Sequence, residues 1–263
     1  MSEETSLDIA HAAMEAAPND DAARLRFYER LADNELFLLL TKEADGDQIN
    51  PEIFDLGDAS FVLVFDRIER LAQFVGKRAP YAALSGRVIA QMLAGQGIGL
   101  GVNLEVATSQ MLIPPEAVSW LCDTLDHRPD EVEETPQELY APKGLPEELF
   151  TALDVKLASA AGLASNAYLV AVDYEGGRQW HLLGVVGALE GAETALATAA
   201  GEALTFSGIE AGSIDVGFFK TSDPMAAAMA KVGLRFELPK TEVREQVVRA
   251  APGSDPNKPP KLR

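Results

Sequence analysis

Four glycines spaced by two, Gly95, Gly97, Gly99 and Gly101, constrain the fold more than any other stretch of this 263-residue chain. Period two is the side-chain period of a β-strand. The alternation predicts an extended segment with the glycines on one side and Ile98, Leu100, Val102, Leu104 and Val106 on the other. A phosphate-binding reading fails on spacing. A dinucleotide fingerprint needs G-x-G-x-x-G between a strand and the helix after it. Here Leu100 stands where the third glycine belongs, and the helical pattern precedes the glycines. A P-loop needs Gly-Lys-Ser/Thr, and no lysine occurs between Lys77 and Lys143. Gly99 and Gly101 instead predict the close approach of another backbone or helix, beside a shallow face that displays Asn103 and Glu105.

Around this strand the pattern is mixed α and β. An alanine-rich helix is expected over 6–16, and a second after Asn19 or Asp20, with Leu25, Tyr28 and Leu31 on one face. Glu35–Leu40 reads as a buried strand, Asp45-Gly46-Asp47 as a turn, and Ile53–Leu56 as a short partner pairing back on it. Ser60–Phe65 is the next strand, followed by a helix striped by Ile68, Leu71, Ala72 and Val75 that ends at Gly76. Ser85 caps a helix over 86–94 whose apolar stripe is Val88, Ile89, Met92 and Leu93; Pro114 and Pro115 open another after Met111–Ile113.

Residues 127–146 hold four prolines and a cluster of acids, a composition that cannot fill a core and suits a linker. From Pro146 the pattern restarts: helix, two strands joined at Glu175-Gly176-Gly177-Arg178, helix, strand, helix capped by Asp223-Pro224, and strand to Leu238. The expected fold class is α+β, as two mixed α/β domains, 1–126 and 147–238, joined by a Pro/acid-rich linker over 127–146. Residues 239–263, with six basic and three acidic side chains and five prolines, read as a partly disordered tail.

Charge excludes some partners. The net charge is −19, and residues 1–146 carry 11 basic against 26 acidic side chains, a balance of −15. Phosphate backbones and anionic membranes are repelled by such a surface. No apolar run approaches the ~18 residues of a membrane span, and the acidic start is unlike a secretory signal, so a cytoplasmic location is expected. Cys122 is the one cysteine, which excludes an internal disulfide.

No catalytic set assembles from the remaining residue types. Cys122 shares a helical face with Val118, Leu121 and Leu125, the setting of a buried, inert thiol rather than a nucleophile. His11, His127 and His181 have no metal-ligand spacing. The carboxylates Glu43, Asp45, Asp47, Glu52, Asp55 and Asp58 lack a calcium-loop register and suit a solvated hairpin tip. No cofactor, metal site or catalytic residue is expected. Tyr81, Ser85 and Arg87 cluster at a helix start, where an arginine opposes the helix dipole; a carboxylate such as Glu105, or that of a ligand, is expected to hold it.

Three blocks resemble the N-terminal domain of the SseB (enhanced serine sensitivity) family: the Phe27-Tyr28 helix leading into Leu36–Leu40, the Phe61–Phe65 strand followed by Arg67–Val75, and Gly97-Ile98-Gly99-Leu100-Gly101-Val102-Asn103 followed by Pro114-Pro115-Glu116. Residues 147–238 then correspond to the family's C-terminal domain, with Thr221-Ser222-Asp223-Pro224 as the nearest local match. The resemblance implies a two-domain soluble bacterial protein. The family is named for a phenotype rather than a reaction and supplies no catalytic residues to carry over. The expectation is a non-catalytic protein that binds another protein, or itself, through a surface holding Tyr81, Arg87, Asn103 and Glu105. The alternative is a sensor or enzyme for an amino acid or 2-oxo acid, with a pocket between the domains where Arg87 holds a ligand carboxylate.

Overall fold

The computed structural model describes residues 4–46, 48–57, 59–126, 136–175, 177–209 and 214–239. Asp47, Asp58, Gly176, residues 127–135 of the expected linker with His127, and the tail beyond Pro239 lie outside the described residues. The architecture is α+β, with eight helices and two mixed sheets among the described residues.

The first sheet is built from β1 (Glu35–Leu39), β2 (Ile53–Leu56), β3 (Ala59–Phe65), β4 (Tyr81–Ser85), β5 (Ile98–Val102) and β6 (Met111–Ile113). Its order is β4-β1-β3-β5-β6, with β2 paired to β3; only β3 and β5 run parallel. The expected pairing of Ile53–Leu56 on the first strand is corrected. Those residues pair with Ala59–Val62, and the first strand meets them only through an isolated Leu40–Pro51 bridge.

Alternation sorts the strand side chains to two faces. Leu36, Leu38, Val62, Val64, Leu100 and Val102 pack under α1 (Ser6–Ala16), α2 (Asp21–Asp33), α4 (Gly86–Leu93) and α5 (Pro115–Asp126). Leu39, Leu63 and Phe65 point the other way, toward α3 (Ile68–Val75). A fully buried side chain of this size contributes ~1.5–3 kcal/mol, so the thick layer dominates the stability of this half. The α4 stripe is narrower than its periodicity predicts: Ile89, Ala90 and Leu93 are buried, whereas Val88 is exposed.

The glycine alternation is half strand and half turn. Gly95 and Gly97 have φ of +73° and +69° and form the turn out of α4, in the left-handed region that glycine enters without a Cβ penalty. Gly99 and Gly101 lie in β5, with no room for a Cβ. At Gly99 it would strike the Ile113 carbonyl and stand 2.7 Å from the Phe61 ring; at Gly101 it would stand 2.6 Å from Leu63. The strand stops at Val102, because Asn103 and Glu105 take φ of +48° and +61° and turn the chain; Leu104 and Val106 therefore pack with the α3 face rather than continuing the ribbon.

The second sheet has the order β10-β9-β8-β11, built from β8 (Asn166–Tyr174), β9 (Gln179–Val186), β10 (Asp215–Phe219) and β11 (Leu234–Glu237). It is covered by α6 (Glu147–Ser159) and α7 (Glu193–Phe206) on one face and by α8 (Pro224–Val232) on the other. Inside the expected linker, β7 (Pro136–Tyr140) pairs antiparallel with β8. Pro136 sits at its first position, where a missing N–H costs least. The two sheets are also fastened to each other. Phe206, at the end of α7, is fully buried in the first core, and α7 packs on α2 and α5.

Candidate interaction site

The four residues expected to share one surface are distributed over three places. Asn103 is fully buried, so it is not displayed. Its Oδ1 accepts from the Asp66 amide at 3.1 Å and its Nδ2 donates to Ser109 Oγ at 3.0 Å. Ser109 Oγ donates in turn to Asp8 Oδ1 at 2.5 Å. Asp8 also takes both terminal nitrogens of Arg70, at 2.9 and 2.6 Å, and Arg70 reaches Asp66 at 2.8 Å. This network lies where the parallel strands β3 and β5 end, and it ties α1, α3 and the 103–110 turn together. Burial alone would raise the Asp8 pKa, but the bonds from Arg70, Ser109 and the Thr5 amide outweigh it and hold the carboxyl well below the usual range. Glu105 is exposed on that turn, its amide donating to Gln110 Oε1 at 3.1 Å.

Arg87, in the first turn of α4, is held by this chain's own carboxylates, although not by Glu105. Its Nη1 and Nη2 bond the two oxygens of Glu202 on α7, at 2.6 and 3.0 Å, and Nη2 also reaches Asp33 Oδ1 at 3.0 Å. Lys156 of α6 completes the cluster. Nearly fully buried, it lies 2.6 Å from Asp33 and 2.9 Å from Glu202. Glu29 stands 3.6 Å away, an electrostatic contact too long for a hydrogen bond, and its Oε1 has no hydrogen-bond partner among the described residues. Burial pushes the Glu29 carboxyl up, against the pull of Lys156. At Glu202 burial also pushes up, but Arg87 and Lys156 prevail and the carboxyl is lowered.

Sequence reasoning missed Glu29, Lys156 and Glu202. The signal was present in the α6 periodicity: Lys156 falls on the stripe of Leu149, Leu153 and Leu157, where a lysine needs buried anions.

Cys122 is buried on α5, and burial followed by Asp126 and Asp123 raises its thiol pKa, which disfavours the reactive thiolate. His11 packs edge-on to Phe27, and His181 Nε2 lies 3.1 Å from the Lys143 carbonyl oxygen. No group of three His, Cys, Asp or Glu side chains among the described residues is placed to hold a metal ion. No helix among them is long and apolar enough to cross a membrane.

Tyr81 is different, because it is accessible. It begins β4, the edge strand of the first sheet, and is 44% exposed. The Leu40 amide donates to the Pro80 carbonyl, and the Gly86 amide to the Asn34 carbonyl. Antiparallel bonding alternates, so the N–H and C=O groups of Tyr81 and Ala83 point away from β1, toward the open side. Beside the start of β4 lies a groove of about 620 Å³ between Ile68, Leu71 and Ala72 of α3 and the Lys77–Tyr81 segment. Glu43 borders it as well. Neither Lys77 nor Arg78 has an ion-pair partner among the described residues.

Residues 10–120 match the family model described as SseB protein N-terminal domain. That stretch belongs to the SseB family. The SseB match covers the whole first sheet, α2, α3, α4 and the first half of α5, and so takes in Tyr81, Arg87, Asn103 and Glu105. Asp8, Lys156 and Glu202, which bind the SseB segment to its surroundings, lie outside it. No curated protein and no solved structure matches the chain.

Proposed function

We propose that this chain is a non-catalytic, cytoplasmic protein-binding module that engages another protein through the β4 edge at Tyr81. The observation that carries the reading is the open edge itself. Natural sheets shield their edges because unpaired N–H and C=O groups recruit other strands, and here the edge is left accessible next to an apolar groove. Nucleic acid and anionic membrane are disfavoured as partners by the −15 balance of residues 1–146. A ligand-carboxylate role for Arg87 between the sheets gains nothing, since both terminal nitrogens are already bonded to Glu202 and Asp33.

A photo-crosslinking amino acid placed at Ala83 of the full chain in cells tests the reading, with exposed Asp154 on α6 as the control position. Discrete adducts at 83 and none at 154 are the expected result. Absence of any specific adduct at 83 overturns the proposal.

A further inference from the structure

Resting on that reading, we propose that the β4 edge takes an extended, acidic segment of its partner as an added antiparallel strand, with Asp or Glu side chains seated against Lys77 and Arg78. Three observations specify this occupant. The first is backbone geometry. Tyr81 and Ala83 each offer one N–H and one C=O outward, a spacing that only an extended chain can satisfy in register.

The second is side-chain relief. Tyr81 and Ala83 lie on the sheet face that carries Phe37, and Phe37 stacks edge-on with Tyr81 at 5.7 Å. Ala83 is exposed and stands opposite Phe37 in the ladder, with only a methyl group on that face. A bulky apolar residue of the incoming strand fits there, the pairing that stabilises neighbouring strands by ~0.2–1 kcal/mol.

The third is charge. Cations stand at both ends of β4, but Arg87 at the far end is neutralised by Glu202 and Asp33. Lys77 and Arg78 at the near end are unpaired among the described residues and face one carboxylate, Glu43, across the groove. The strand is therefore polar in the electrostatic sense, and an antiparallel partner brings its C-terminal side to the cations. The overall −19 does not cancel this attraction. At physiological salt the Debye length is about 8 Å, so distant surface acids are screened while groups in contact are not. A second copy of this chain is the competing occupant, and it would show itself as a dimer in sedimentation.

The test pans a display library of random twelve-residue segments on the full-length protein and measures the winners by fluorescence anisotropy. Lys77→Glu/Arg78→Glu and Ala83→Pro are the variants; the proline removes an outward N–H and no ladder bond to β1, and thermal unfolding verifies that each is folded. Expected winners alternate apolar residues and carry Asp or Glu near the C-terminal end. They should lose at least tenfold in affinity against each variant, and when alternate amides are N-methylated. Winners without acidic bias that still fail on Ala83→Pro overturn the acidic-strand inference while leaving the binding-module reading standing, as does an empty selection accompanied by crosslinks at 83. A dimer in sedimentation that Ala83→Pro dissolves also overturns it, because the edge is then occupied by a second copy.

Discussion

Arg87 at the start of α4 grips both carboxylate oxygens of Glu202 near the end of α7, 115 residues away, and so joins the helices of one sheet to those of the other. Part of the Pro/acid-rich stretch joins the second sheet as β7, and the two sheets meet at a junction with its own apolar plug, Phe206, and its own charged cluster.

Lys156 is the member of that cluster whose loss costs most. With it gone, Asp33 and Glu202 keep Arg87, whereas Glu29 is left with the weaker attraction of Arg30. Removing one partner from a buried ion pair typically costs ~3–5 kcal/mol. Lys156→Met is expected to lower stability by about that amount in urea denaturation, whereas exposed Lys231→Met on α8 changes it by less than ~0.5 kcal/mol. Equal effects from the two would mean that the cluster contributes nothing at the junction.

Glu29 has the opposite sign. Its carboxyl is raised by burial above its ordinary 4.5, so the folded state holds a proton there more readily than the unfolded chain does. Stability from this group is then highest in acid and declines as the pH rises past the ordinary value toward the raised one. Glu29→Gln is expected to raise Tm near pH 7 and to make no difference below about pH 4, by thermal scans across that range. A lower Tm at pH 7 would show that the attraction to Lys156 outweighs the burial cost.

Asp8 titrates the other way. Arg70, Ser109 and the Thr5 amide hold its carboxyl below the ordinary 3.8, so its contribution is complete above that value and is lost as the pH falls through the depressed one. Asp8→Asn should therefore be less stable than the parent at pH 7, with a gap that narrows below about pH 4. Denaturant midpoints at pH 7, 5, 4 and 3 measure it, and a constant gap would remove the ion pair from the explanation.

Glu105 sits at φ +61° with its side chain in solvent. Left-handed backbone costs a residue with a Cβ roughly 1 kcal/mol relative to glycine. Glu105→Gly is expected to stabilise the protein by up to about that amount in chemical denaturation. A loss of stability would mean that the Glu105 side chain holds the turn.

Much of the fold was legible because it is written in periodicity. The stripes Leu25/Tyr28/Leu31 and Val118/Leu121/Leu125, and the alternation of Phe61–Phe65, each report a face directly. What was not legible depends on partners distant in sequence. Tyr81-Ala82-Ala83-Leu84 has little intrinsic strand preference and becomes β4 by pairing with Leu36–Leu39. Pro136–Tyr140 reads as linker until β8 supplies its ladder. Asn103, polar and next to a strand end, reads as exposed; its burial depends on Asp66, 37 residues away, and on Ser109. Of the candidate site, Tyr81 reads from its place beside Ser85 and Arg87 before a helix start; its exposure on an edge strand is a property of the fold. Lys77 and Arg78 were passed over, since the absence of a local counter-charge is a property of the folded surface.

The glycine alternation itself misled in one half for a simple reason: a glycine has no side chain to report which face it occupies, so a left-handed turn and a flat strand spell alike. The two halves should respond differently to the same substitution. At Gly97 nothing lies within 4 Å of an added Cβ, and the cost of alanine is confined to the positive φ, about 1 kcal/mol. At Gly99 the backbone has no such restriction, but the methyl group meets the Ile113 carbonyl and the Phe61 ring, and a strand ladder cannot yield as a flexible side chain can. Overpacking of this kind typically costs ~1–3 kcal/mol or more. Gly99→Ala should therefore be the more damaging of the two in urea denaturation, and Gly99→Val should prevent folding while Gly97→Asn, a residue that tolerates the left-handed region, is close to neutral. If Gly99→Ala and Gly97→Ala proved equally costly, close packing over β5 would no longer explain why that strand carries glycine.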